Sequence, residues 1–325
     1  MSHPRTLATA LAVALLATGS ADAQTRTLRF GNVQAVDHAN NAGGRKAAEV
    51  MAQLSGGRLK LEIFPAAQLG KGQDMVQQVA DGNLDFAIDG ATLLAQWDKR
   101  LSVFEAPYLV RDFEHFRRMA ASPFGDTVFR ELREKRGIRT LDPWYFGTRQ
   151  TTTRDRAINT VTDMKGLKLR VPEVPLYMDF ARAVGAAPTP MAFAEVYLGL
   201  QTGTVQGQEN PLPTINAAKF YEVQKFINLT SHIVLGLFPM MSEKTWGSLA
   251  PADREIVAKA FAEGGRVNDE MTMRDESRLL AFFKEKGLTV ATPDLAPFRQ
   301  AMAPVYAKYE EIWGKGVADA LAAIK

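Results

Sequence analysis

The chain reads as an α/β protein of two similar halves with a cleft between them. Three observations carry this reading. Between residues 27 and 88, short β-type runs alternate with helical ones, and a β-α-β-α-β order implies a parallel sheet with helices on both faces. The segment Asp81-Gly82-Asn83-Leu84-Asp85-Phe86 is matched by Thr202-Gly203-Thr204-Val205-Gln206-Gly207; each is a helix-ending glycine that runs straight into a strand. Each strand then ends near a polar cluster, Asp89-Gly90 in the first and Gln208-Glu209-Asn210 in the second. Chance matching of a common αβ loop is the competing explanation of that repeat.

Taken in order, residues 27–31 form the first strand, followed by a polar loop to Asn41 and a helix to about Leu54 that Gly56-Gly57 stops. Residues 59–64 alternate in polarity and form a strand ended by Pro65. Residues 73–81 form a helix with Gly82 just past its end, and 84–88 the next strand. Trp144-Tyr145-Phe146 belongs to a strand that ends near Arg149. Residues 251–286 read as a very long helix, with Pro251 in its first turn and Gly287 at its stop. Gly264-Gly265 predicts a kink or boundary within it. Residues 305–312 form a further helix.

The N-terminus carries Arg5, an apolar stretch over 7–18 and Ala21-Asp22-Ala23 before Gln24. This is the pattern of a cleaved secretory signal peptide spanning 1–23, and it predicts export to the periplasm. No later stretch is apolar for long enough to span a bilayer, so the protein is expected not to be inserted in the membrane. Cysteine is absent, which excludes disulfides, thiolate metal sites, a cysteine nucleophile and a lipid anchor on cysteine. The net charge is +3 with both signs interspersed, unlike the one-faced basic cluster of a nucleic-acid binder. The densest basic stretch, 130–139, also holds Glu131 and Glu134 and reads as a solvated helix face. There is no G-x-S-x-G, H-E-x-x-H, P-loop or G-x-G-x-x-G motif, and the four histidines show no metal-ligand spacing. No cofactor or metal is expected, and nothing supports an enzyme.

Four segments read as one ligand-binding wall: Phe146-Gly147-Thr148-Arg149-Gln150, Gly166-Leu167-Lys168-Leu169-Arg170-Val171-Pro172, Pro190-Met191-Ala192-Phe193 and Gly207-Gln208-Glu209-Asn210-Pro211. Arg170 matters most. It ends a short β-type run stopped by proline, and strand ends are where open α/β sheets bind ligands. A guanidinium there offers a planar, bidentate partner for a carboxylate; a surface salt bridge is the alternative. Arg149 is a second cation that either grips the same anion, supports Arg170 or pairs with a carboxylate elsewhere. Asn210 suits a carboxylate or hydroxyl because an amide both donates and accepts, and it equally suits a turn before Pro211. Phe193 either covers an apolar ligand face or is core. In the first half, His38 and Asn41, with Asn40, either reach across the cleft or serve as loop and N-cap residues. Asp89 ends a strand and is a candidate acceptor for hydroxyls. Gln73 is a weaker candidate.

These segments resemble the substrate-binding subunit of tripartite ATP-independent periplasmic (TRAP) transporters, the DctP family. The resemblance runs over nearly the whole mature chain and is densest over 147–225, in Gly-Thr-Arg-Gln-Thr-Thr, Asp-Met-Lys-Gly-Leu-Lys-Leu-Arg-Val-Pro, Pro-Thr-Pro-Met-Ala-Phe-Ala-Glu-Val-Tyr, Gly-Gln-Glu-Asn-Pro and Lys-Phe-Tyr-Glu-Val-Gln-Lys. It is strongest toward the sialic-acid-binding member. The resemblance implies a two-domain periplasmic binding protein fold with a hinge and a long domain-spanning helix. It divides the chain into a first domain of 24–146 plus 235–275 and a second of 147–234 plus 276–325. It implies a membrane permease of small and large subunits as partner, and a monomer or a dimer. It also implies that Arg170 grips a ligand carboxylate, that Arg149 and Asn210 join it, and that Phe193 packs on the ligand. The first domain departs from the sialic-acid member: that protein's glutamate and arginine align with Gly90 and Leu93, its acidic pair after Leu69-Gly70 is replaced by Lys71-Gly72, and Glu173-Val174-Pro175-Leu176 follows Arg170's strand. A smaller monocarboxylate is therefore expected: a sugar acid such as a uronate, a hydroxy or keto acid, or a cyclic acid. A periplasmic enzyme acting on a carboxylate and a sensory binding protein are the rival readings.

Overall fold

The computed structural model describes residues 25–325; the expected signal peptide lies outside the described residues. The strands are β1 (Arg26–Gly31), β2 (Leu59–Phe64), β3 (Phe86–Asp89), β4 (Ile138–Thr140), β5 (Trp144–Thr153), β6 (Lys168–Val171), β7 (Ala187–Pro190), β8 (Gly207–Pro211), β9 (Phe226–Ser242) and β10 (Thr289–Ala291). They hydrogen-bond in the order β2-β1-β3-β9-β5-β8-β6-β7, with β4 and β10 also on β9. β1 is parallel to both β2 and β3, as the β-α-β-α-β order requires. β6 is likewise parallel to β7 and β8. β9, 17 residues long, joins the two parallel sets. Its C-terminal end runs antiparallel to β3 and β4, and the rest runs antiparallel to β5.

The local signals hold where glycine or a cap fixes an end. His38 caps the helix Ala39–Leu54, its side chain accepting from the Asn40 N–H. Gly82 and Gly203 end the helices Gly72–Asp81 and Val196–Thr202, both at φ 76°, a left-handed turn that only glycine takes freely. The repeat therefore marks one structural step used twice. Three expectations are corrected. The third strand starts at Phe86, not Leu84, because 82–85 is still the turn. Arg149 lies inside β5, not at a strand end, because β-type backbone continues through Thr151, Thr152 and Thr153. The helix Pro251–Glu285 has no boundary at Gly264-Gly265. Those glycines serve close approach. A Cβ on Gly264 would stand 2.6 Å from the Gly43 carbonyl, and one on Gly265 would stand 2.7 Å from Trp144 Nε1.

The main core gathers Phe30, Phe86, Phe104, Phe116, Trp144, Phe238 and Phe261, all buried. A second core, around Leu200, Ile215, Phe220, Ile227 and Phe283, sits under the β8 side. The long helix packs on Ala39–Leu54 and on β5, and further on against helix Leu212–Ala217 and β10, so it touches both domains. No helix among the described residues is long and apolar enough to cross a membrane.

Candidate functional site

A cavity of about 140 Å³ opens where the C-terminal ends of β1 and β3 face β5, β6 and β8. The two domains meet around it. Tyr177 OH donates to Glu105 Oε2 at 2.6 Å, and Gln73 Nε2 donates to the Glu173 carbonyl at 3.4 Å. His38 Nε2 and Thr214 Oγ1 stand 3.2 Å apart.

Arg170 is 3% exposed and lines the cavity. Its Nε and Nη2 donate to the Met191 carbonyl at 3.0 and 2.7 Å. That anchor fixes the guanidinium plane and leaves Nη1 with no protein partner among the described residues. No carboxylate among the described residues pairs with Arg170. Burial pulls its pKa down to about 10, with Glu209 opposing and Arg149 adding to the fall. The Phe193 ring lies 6.0 Å from the guanidinium carbon, within cation–π range.

Arg149 is differently placed. β5 and β8 pair Thr151 with Glu209, so Arg149 and Glu209 lie diagonally, two residues apart on one face. Arg149 Nε donates to Glu209 Oε2, and Nη2 donates to Glu209 Oε1 and to its carbonyl, both at 2.8 Å. His232 Nε2 stands 3.0 Å from the same carboxylate, with Thr230 Oγ1 2.9 Å from His232 Nδ1. Burial opposes the Glu209 charge, but Arg149 and His232 outweigh it and hold the carboxyl down at about 2. Burial also acts against the Arg149 cation, and Glu209 more than offsets it. Of the two arginines, then, Arg149 is neutralised within the protein and Arg170 is not. Arg149 still lines the cavity, with Nη1 outside the pair.

Asn210 is buried on the lining, its Nδ2 donating to Gln208 Oε1 at 2.6 Å. Asp89 and Gln73 line the opposite wall. His38 and Asn41 do not line the cavity. His38 Nδ1 accepts from the Asn40 N–H, and burial pushes its pKa down to about 3, so the ring is neutral. Asn41 accepts from Asn32 Nδ2 and donates to the Ala35 carbonyl, tying the loop after β1. The Asn41 side chain is held in loop bonds, and His38 caps its helix through Nδ1 while Nε2 faces Thr214 of the other domain.

Sequence reasoning missed Gln34, Glu105 and Tyr177, all on the lining. Glu105 is buried, accepting from Thr92 N and Oγ1 and from Tyr177 OH; burial raises its pKa against those bonds. Tyr177 sits 5.1 Å from the Arg149 guanidinium. A lone glutamate at the end of a short 3-10 helix and a tyrosine on an amphipathic helix carry no local signal. Gly90 and Leu93 also line the cavity.

Comparison with known proteins establishes the family. The profile of the bacterial extracellular solute-binding protein family 7 matches residues 30–312. The sialic acid-binding periplasmic protein SiaP of Vibrio cholerae is 42% identical over 310 residues, covering 95% of this chain and 96% of that one. A TRAP periplasmic solute-binding protein from Polaromonas, solved with D-erythronate, superposes with a TM-score of 0.88 at 30% identity, over 93% of this chain and 99% of that one. One from Roseobacter denitrificans, solved with L-galactonate, gives 0.86 at 32% identity, over 92% and 99%. The chain belongs to the bacterial extracellular solute-binding protein family 7 and is a substrate-binding subunit of a TRAP transporter, not an enzyme.

Proposed function

We propose that this protein captures a small organic carboxylate of the sugar-acid class in the periplasm, clamps its carboxylate on Arg170, and delivers it to the small and large subunits of a membrane permease. The observation that supports this reading is the uncompensated guanidinium. A buried cation is retained at a cost unless something pairs with it, and the cavity in front of Arg170 is the place for that partner. Its fixed plane suits the two oxygens of a carboxylate. Arg149 Nη1 adds a second cationic edge, Asn210 Oδ1 is placed to accept a ligand hydroxyl, and Phe193 walls the carboxylate. Closure then joins a first domain of 24–146 plus 235–275 to a second of 147–234 plus 276–325. The contacts across the cleft exist only when both meet, so a ligand that touches both walls shifts the equilibrium toward the closed form.

The relatives named above are associated with sialic acid, D-erythronate and L-galactonate, all hydroxylated carboxylates. Leu93 and Gly90 on the lining favour a smaller acid than sialic acid, because they bring no polar group to a long polyol tail. Sialic acid itself is the second reading, favoured by the 42% identity to SiaP. Calorimetric titration with D-erythronate, L-galactonate, a hexuronate and sialic acid tests both. Saturable binding that Arg170→Gln removes supports the clamp. Binding untouched by that substitution overturns it.

A further inference from the structure

The cavity has a second polar end that the arginine clamp leaves unused. Gln34 is 6% exposed and lines the cavity. Its hydrogen bonds run through its backbone alone, and its side-chain Oε1 is enclosed without any donor. A buried carboxamide oxygen left unpaired is unfavourable, and such orphans call for a ligand or water. Asp89 lines the same cavity. The register that pairs Gly31 with Ala87 brings the loop after β1 alongside the end of β3. Asp89 Oδ1 accepts from the Gly90 N–H at 2.8 Å, while Oδ2 accepts nothing among the described residues. The space before Oδ2 is kept open by glycine, since a Cβ on Gly72 would come within 2.6 Å of it. Glu105, next to them, is already satisfied by Thr92 and Tyr177.

On the arginine-clamp reading, we propose that Gln34 and Asp89 form a hydroxyl-reading subsite at the first-domain end of the cavity, and that the ligand is a carboxylic acid bearing a hydroxyl remote from its carboxylate. The choice of hydroxyl follows from what each group lacks. Gln34 Oε1 and Asp89 Oδ2 need donors, whereas Gln34 Nε2 needs an acceptor. A hydroxyl both donates and accepts. An ammonium only donates and leaves Nε2 unpaired. The charges facing Asp89 agree. Burial is the main reason that its pKa rises to about 7; the Gly90 N–H and Arg149 pull it down, and Glu105 pushes it up. No lysine or arginine among the described residues pairs with it, so it suits a neutral donor.

The test uses matched acids on the full-length mature protein: D-erythronate, butyrate and γ-aminobutyrate, and L-galactonate, hexanoate and ε-aminohexanoate. Each is titrated into wild type, Gln34→Met, Asp89→Asn and Arg170→Gln, with circular dichroism melts to confirm folding. The proposal expects a hydroxylated acid to bind at least ~10-fold more tightly than its unsubstituted counterpart. Gln34→Met should erase most of that ratio, and Asp89→Asn should reduce the ratio and flatten its pH dependence. Preference for the ammonium acid, or Gln34→Met and Asp89→Asn variants that weaken all acids equally, overturns the subsite and leaves the clamp standing. If Arg170→Gln binds as wild type does, the clamp fails first and the subsite with it. If no hydroxylated acid in either series binds wild type, the ligand class is wrong and the subsite assignment is overturned.

Discussion

Arg170→Gln separates binding from stability, and the two effects have opposite signs. In the folded protein burial, more than any other cause, pulls the Arg170 pKa down to about 10. A lowering of that size corresponds to roughly 3 kcal/mol of burden on the charged form. For a base whose pKa drops on folding, the burden is present wherever the group is charged, here at all pH values below about 10. Removing the charge relieves it. Removing the side chain also loses the two hydrogen bonds to the Met191 carbonyl, each contributing about 1 kcal/mol. The ligand-free variant should therefore be as stable as wild type or more stable by about 1 kcal/mol, a rise of a few degrees at most. Binding responds the other way. Two charge-assisted bonds to a carboxylate contribute about 1.5–3 kcal/mol each, so affinity should fall roughly a hundredfold or more. Scanning calorimetry without ligand and isothermal titration with it measure both. A variant that melts well below wild type would show Arg170 to be a structural strut, and the reasoning from an uncompensated charge would be refuted.

Glu209→Gln should be strongly destabilising, by about 3–5 kcal/mol in urea titration, because it strips the partner from a buried arginine; loss of only a fraction of that would mean that Arg149 finds another anion. Asp89 should make stability pH-dependent. Its carboxyl titrates at about 7 when folded against 3.8 normally, so between these values the folded state holds the extra proton and stability falls as pH rises, flattening above about 7. Asp89→Asn should remove that slope from melting temperatures measured between those limits, and an unchanged slope would reassign it. Gly264→Ala, which in an open helix adds about 1 kcal/mol of stability, should here cost about 1–3 kcal/mol, since its Cβ would meet the Gly43 carbonyl at 2.6 Å; a raised melting temperature would show that the two helices separate easily.

Much of this molecule was legible because local chemistry fixed it. Gly82 and Gly203 announced two equivalent helix–strand junctions, and Pro172 announced the end of the strand that carries Arg170. The four segments of the second half do line one cavity, and each lies within a few residues of a strand or a proline. The residues that were not legible depend on distant partners. Nothing near Arg149 reveals that Glu209, 60 positions away, neutralises it. Gln34 is remarkable only for a partner that it lacks, and Glu105 only because Tyr177 closes on it from the other domain. Gly264-Gly265 was misread because a glycine pair that breaks an isolated helix also permits two helices to touch. β9 was missed altogether: buried along most of its length, it lacks the alternation by which a strand with one wet face is recognised.

β9 has a mechanical consequence. It passes from one domain to the other as a continuous strand, with β5 beside it. The domains are thus coupled by a hydrogen-bonded ribbon, not a slack tether. Its register slips between Arg149 and Thr151, and Ser231 takes a left-handed φ of 42° on the opposite strand. The irregularity lies one residue from Arg149 on the cavity wall, and Gln150 braces it by accepting from the Ser231 N–H at 2.9 Å.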